Sequence, residues 1–172
     1  MSASETNGRI FRVVAIVGLV AVSACRQQSV SPAGEASSSV SEAYAPGLGE
    51  IMTLQQMRHT KLWLAGEAKN WDLAAYEMDE LGEGFDDVIK FHPTHKDSPV
   101  APKDAIPRMV TQPLMELRAT IEKKDAAAFE PAYDKFTAAC NSCHEAMNFG
   151  FNVVQRPVGN PYPNQVFTPV RK

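Results

Sequence analysis

Residues 125–147 read DAAAFEPAYDKFTAACNSCHEAM. Their apolar and thiol positions, Phe129, Tyr133, Phe136, Cys140, Cys143 and Met147, follow at steps of 4, 3, 4, 3 and 4. That spacing holds all six on one face of an α-helix, whose period is about 3.6 residues. Asp125 is a good N-cap type and predicts where this helix begins, because its carboxylate can accept the unpaired backbone N–H groups of a first turn.

The same periodicity runs outward through the chain. From Gly49 to Phe151 the alternating Val/Ile/Thr-rich runs of strands are missing, so the domain reads as all-α. A first helix is predicted over Leu48–Ala65, ending near Gly66, with the seam Leu48, Met52, Gln55, His59 and Leu62. A second starts after the N-cap Asn70, with Ala74, Met78, Leu81, Phe85 and Val88 inward, and stops near Phe91 because Pro93 follows. Pro99, Pro102 and Pro107 mark the next stretch as a loop. A third helix is predicted over Ile106–Lys123 with Val110, Leu114, Leu117 and Ile121 inward, Pro113 kinking it or marking its true start. Short links between the first and second and between the third and fourth helices imply antiparallel neighbours, hence an antiparallel four-helix bundle.

Within the last helix, Cys140-Asn141-Ser142-Cys143-His144 is a C-x-x-C-H, the attachment motif of c-type haem. Two thiols one helical turn apart can add to the two vinyl groups of one haem, and the next residue offers an imidazole to the iron. His144 is therefore the expected proximal ligand. Zinc would need a fuller donor set. A thioredoxin-like pair would need βαβ context, and a plain disulfide would leave His144 unexplained.

The chain's beginning is read as an address. Arg9 and Arg12, the apolar run Val13–Val22 and the small residues Ser23 and Ala24 form the three parts of a secretory signal over residues 1–24. The run is about half the ~20 residues that span a bilayer, so it is a signal core and not a permanent membrane helix. Val22-Ser23-Ala24-Cys25 resembles a bacterial lipoprotein box, which implies lipidation of Cys25, a lipid anchor in the membrane and a periplasmic-side location. An ordinary signal peptide is the alternative. Residues 25–45, rich in Ser, Ala, Gln and Gly, then form a linker, residues 46–151 the bundle, and residues 152–172 a proline-rich extension.

Four helices with C-x-x-C-H in the last resemble the cytochrome c′ family, including its low-spin c-556-like members, over residues 46–151. The resemblance implies a monohaem electron carrier with covalent haem c and redox partner proteins. Met52-Thr53-Leu54 looks like the family's distal segment, in which Met gives a six-coordinate iron. Helical rise agrees: in an antiparallel pair His144 lies roughly 9 Å from the end of its helix, Met52 about 6 Å and His59 about 16 Å from the start of theirs. Met52 is the expected distal ligand and His59 the alternative. A gas-binding protein with an open distal site, or a haem subunit of an envelope complex, are the other functions the motif allows. A homodimer is also open.

Charge narrows the partners. The formal net charge is −3, and removing residues 1–24 takes away two basic and one acidic residue to leave −4. A basic nucleic-acid-binding surface is thus not expected. No second titratable cluster accompanies the motif, which argues against an enzyme. Glu77, Asp79, Glu80, Glu83, Asp86 and Asp87 read as a solvated acidic face, or as a dock for a basic redox partner. His92 and His95 read as surface histidines of a loop, and Trp63 and Trp71 as caps on one bundle end.

Overall fold

A computed structural model describes residues 44–96 and 98–170, and all regular structure among them is helical. Residues 1–43, which hold the signal-like segment, Cys25 and nearly all of the expected linker, lie outside the described residues. Helices α1 (Leu48–Glu67) and α2 (Trp71–Phe91) are followed by α3 (Pro102–Ala105), a π turn (Ile106–Val110) and α4 (Thr111–Glu122), then by α5 (Ala126–Ala146). The backbone is right-handed helical at Ala105, Ile106, Val110 and Thr111, so α3, the π turn and α4 form one continuous rod. The described residues form an all-helical bundle of four rods.

The ends are set by local chemistry. The Asn70 side chain accepts from Leu73 N–H at 3.3 Å, and Asp125 accepts from Ala127 and Ala128 N–H, both at 3.1 Å, which gives α2 and α5 the expected caps. At the other ends Lys69, Lys124 and Asn148 adopt φ of 56°, 54° and 66°. Each left-handed residue lets the next amide reach back across the last turn: Asn70 to Ala65, Asp125 to Thr120, Phe149 to His144. No described helix is long and apolar enough to cross a membrane.

Two boundaries differ from the sequence reading. Helix α1 continues past Gly66 to Glu67, since Lys69 supplies the left-handed turn. Gly66 has a packing role instead: a Cβ there would lie 2.1 Å from the Phe129 ring, so the glycine admits that ring against the helix backbone. The third rod starts at Pro102, four residues earlier than expected, because proline at a first helical position gives up an N–H that has no partner anyway. Pro113 instead lies inside the continuous rod, where its missing N–H leaves a gap in the ladder just after the π turn. The register is relieved by the π turn, in which Thr111 N–H reaches Ile106 C=O five residues back.

Cross-helix contacts give the directions. Gln55 and Arg58 of α1 reach Leu81 and Glu80 of α2, Arg118 of α4 reaches Asp79 of α2, and Lys135 of α5 reaches Glu116 of α4. Along α1 and α2 the paired numbers move in opposite directions, Gln55 with Leu81 and Arg58 with Glu80, as antiparallel neighbours require. At one end Trp63, Trp71, Phe129 and Tyr133 stack edge and face with centroids 5.0–6.0 Å apart, closing the bundle as the two tryptophans led us to expect. All five α2 seam residues are buried, as are Leu62, Val110, Leu117, Ile121 and Phe136.

The acidic face of α2 is not uniformly solvated. Glu77 is only 3 % exposed, and burial raises its carboxyl above the usual range, with Lys61 opposing. Asp79 and Glu80 pair with Arg118 and Arg58.

Gly66→Ala is expected to lower the unfolding free energy by about 1–3 kcal/mol, the usual cost of over-packing. In Gly82→Ala the added methyl meets nothing nearer than Arg118 Nη2 at 3.8 Å. That change should stabilise by up to about 1 kcal/mol through helix propensity. Equal responses of the two variants in urea unfolding would contradict the close approach of Phe129 to α1.

Candidate functional site

At the end opposite the tryptophans, the start of α1, the end of α2, the third rod and the end of α5 enclose a cavity of about 340 Å³. This is the size range of small-molecule and cofactor sites. Its wall is largely apolar: Leu48, Phe85, Val88, Ile106, Val110 and Phe136. The residues singled out from the sequence converge on it, with Cys140, Cys143 and His144 from α5 and Met52 and His59 from α1 all lining the one space. Phe149, Phe151, Asn152 and Val154 add part of the rim from the chain that follows α5.

Both thiols are free. Burial, with some repulsion from Cys143, pushes the Cys140 thiol up to about 12, and burial raises Cys143 as well. Cys143 Sγ lies 3.7 Å from Met147 Sδ. Both thiols are therefore protonated at neutral pH in the protein as it stands. Among the described residues no group of three or more His, Cys, Asp or Glu side chains is placed to hold a bare metal ion. A flat apolar group joined to both sulfurs by thioether bonds needs neither thiolates nor extra donors, and the apolar wall suits it.

His144 Nδ1 lies 2.6 Å from the backbone carbonyl oxygen of Asn152. A carbonyl only accepts, so Nδ1 carries the proton and donates it. The Nε2 lone pair is thereby left for a metal.

His59 is in a different state. It is 3 % exposed, and both ring nitrogens are engaged: Nε2 with Thr137 Oγ1 and Nδ1 with the Tyr133 hydroxyl, each at 2.8 Å. Thr137 donates its own proton to the Tyr133 carbonyl, so Nε2–H donates to Thr137 and Tyr133 O–H donates to Nδ1. The Tyr133 hydroxyl is also 2.9 Å from the His59 carbonyl. Burial lowers the imidazole to about 4, so it is neutral at pH 7. To ligate a metal His59 would have to surrender the Tyr133 hydrogen bond. Met52 stands seven residues nearer the helix start, about 10 Å along the axis, and has no such bond to give up.

The two loop histidines are not plain surface residues. His92 Nε2 donates to the Pro46 carbonyl at 2.8 Å and ties the end of α2 to the entry of α1. His95 lines the cavity, stacks edge-on against Phe149 at 5.4 Å, and buries its Nδ1 with no hydrogen-bond partner among the described residues. Such an atom is costly unless something polar meets it. A bound group with an acidic substituent would satisfy it.

Sequence reasoning missed His95 because the cavity is assembled from separate segments, and it missed Asn141 and Asn152 because their roles run through backbone atoms. Asn141 is nonetheless inside the motif. No family model, no curated protein and no solved structure matches this chain.

The buried neutral histidine makes stability depend on pH. Its folded value of about 4 lies below the 6.5 of an exposed imidazole, so the unfolded chain binds more protons between the two. The contribution of His59 is complete above pH 6.5 and is lost as pH falls through that window. Lowering the pH from 7 to 5 should cost about 2 kcal/mol in urea unfolding through this residue. His59→Gln should flatten that part of the slope, and identical slopes for wild type and variant would contradict the neutral buried state.

Proposed function

We propose that this chain is a monohaem c-type cytochrome acting as a one-electron carrier, similar to the c-556-like members of the cytochrome c′ family. Cys140 and Cys143 would hold haem c through thioethers, His144 Nε2 would be the proximal iron ligand and Met52 the distal one. The observation that carries the reading is the meeting of the C-x-x-C-H residues and Met52 on a single apolar cavity. When bound, the haem supplies a reversible one-electron couple.

The chain's own groups shape that couple. As a ligand, the thioether of Met52 would favour the reduced form and raise the potential relative to a second imidazole. The buried wall of Phe85, Val88, Ile106 and Val110 excludes water and limits rearrangement between the two states. His59, tied to Thr137 and Tyr133, stiffens the contact between α1 and α5 behind the cavity. His95 would offer its free nitrogen to a propionate. Redox partner proteins would approach the cavity mouth, where Phe151 is exposed. Lipidation at Cys25 would tether the domain to the periplasmic side of a bacterial membrane, the compartment in which haem c is attached.

Absorption spectra of the haem-loaded protein, oxidised, reduced and then exposed to carbon monoxide, test the ligand set. Wild type should be low-spin and indifferent to carbon monoxide. Met52→Leu, close in volume, should lose the sulfur-to-iron charge-transfer band, become high-spin and bind the gas. A wild type that is high-spin and takes carbon monoxide would remove Met52 as a ligand and move the function to gas binding.

A further inference from the structure

We infer that the segment after α5 is a strap that positions His144, with Asn141 and Arg156 as its two fastenings. The inference rests on the reading of His144 as an iron ligand and adds what sets that ligand's tautomer and donor strength.

The chain reverses directly after α5. Asn148 is left-handed, and a turn closed by Asn152 N–H to Phe149 C=O at 2.8 Å sends the backbone back over the helix it has just left. This delivers the Asn152 carbonyl to His144 Nδ1. A carbonyl on an exposed turn holds no position by itself, and neither Phe151 nor Val153 on either side of Asn152 is buried. What holds it is polar. Asn141, one turn before His144 on the same helix, donates from Nδ2 to Val154 C=O and accepts Val154 N–H on Oδ1, both at 2.8 Å. The side-chain amide thus copies the two-bond pairing of a strand neighbour, two residues from the carbonyl that His144 uses.

Two residues further on, Arg156 forms ion pairs with Glu130, at 2.8 Å, and with Asp134 on α5, and lays its guanidinium 4.4 Å over the Trp63 ring of α1. One arginine therefore spans both helices. Beyond it Tyr162 lies under Lys61 of α1 and Phe167 is buried. The strap is held along its length, and its Asn152 carbonyl meets the imidazole.

A hydrogen bond from Nδ1–H to a fixed carbonyl makes the ring a stronger donor at Nε2 and favours oxidised iron. The strap would oppose Met52, and the potential would be set by both. Freed of the carbonyl, His144 would donate less strongly and could take the other tautomer.

The test compares wild type with Asn141→Ala and Arg156→Ala, none of which alters a residue that binds haem. In the haem-free protein, ¹⁵N shifts of His144 should report Nδ1–H in wild type and a mixture dominated by Nε2–H in Asn141→Ala. In the haem-loaded protein, covalent haem content should be unchanged. The ferrous-to-ferric ratio at a fixed potential should rise about tenfold, equivalent to about 59 mV for one electron. Arg156→Ala, loosened further from the carbonyl, should shift the same way by less. Unchanged tautomer and unchanged potential in both variants, with haem in place, would overturn the strap while leaving the cytochrome reading intact. A wild type without haem on Cys140 and Cys143 would remove the cytochrome reading, and the role of the strap with it.

Discussion

One face of α5 governs the molecule. Its first half carries Phe129, Tyr133 and Phe136, and its second half Cys140 and Cys143, with Met147 at the C-cap just past its end. Phe129 and Tyr133 meet Trp63 and Trp71 and close one end of the bundle, while Phe136 meets His59 and Phe85 and lines the cavity with them. The sulfur half carries the small side chains of Cys140 and Cys143 and borders the cavity. Position along one seam thus decides which end is core and which end is cavity, and helix antiparallelism then brings Met52 to the level of the thiols.

The polar groups inside the bundle are organised to leave chosen atoms free. His59, Thr137 and Tyr133 satisfy one another in a one-way chain of donors, which makes that stretch rigid and chemically quiet. His144 has only one nitrogen satisfied, and His95 has a buried nitrogen with no partner among the described residues. Three histidines with three different hydrogen-bond states surround or back one cavity. The same sorting applies to charge: Glu80 and Asp79 pair with arginines and Glu77 is buried, while Asp79, Glu83 and Asp86 are the exposed members of the acidic stripe.

Much of this was legible from local pattern. The seams of α2 and α5 are strictly periodic because each faces one core, and Asn70 and Asp125 cap because an acceptor side chain there has few other uses. Less legible was whatever depends on a distant partner. Gly66 looks like a helix terminator until Phe129 is seen against it. Pro102 looks like a loop until its place at a helix start makes the missing N–H harmless. His95 and Glu77 look exposed because no local period announces the segments that cover them. The strap could not be foreseen from composition: proline-rich sequence predicts extension, and where an extended chain docks is decided here by one amide of Asn141 and one guanidinium of Arg156.

The central claim is that Cys140 and Cys143 are the attachment points of one haem. Protein produced together with the bacterial haem-attachment machinery, unfolded, treated with a thiol alkylator and weighed intact, tests it directly. The expected result is a mass increased by one haem with no alkylation at Cys140 or Cys143. Two alkylated cysteines at these positions and no haem adduct would contradict it.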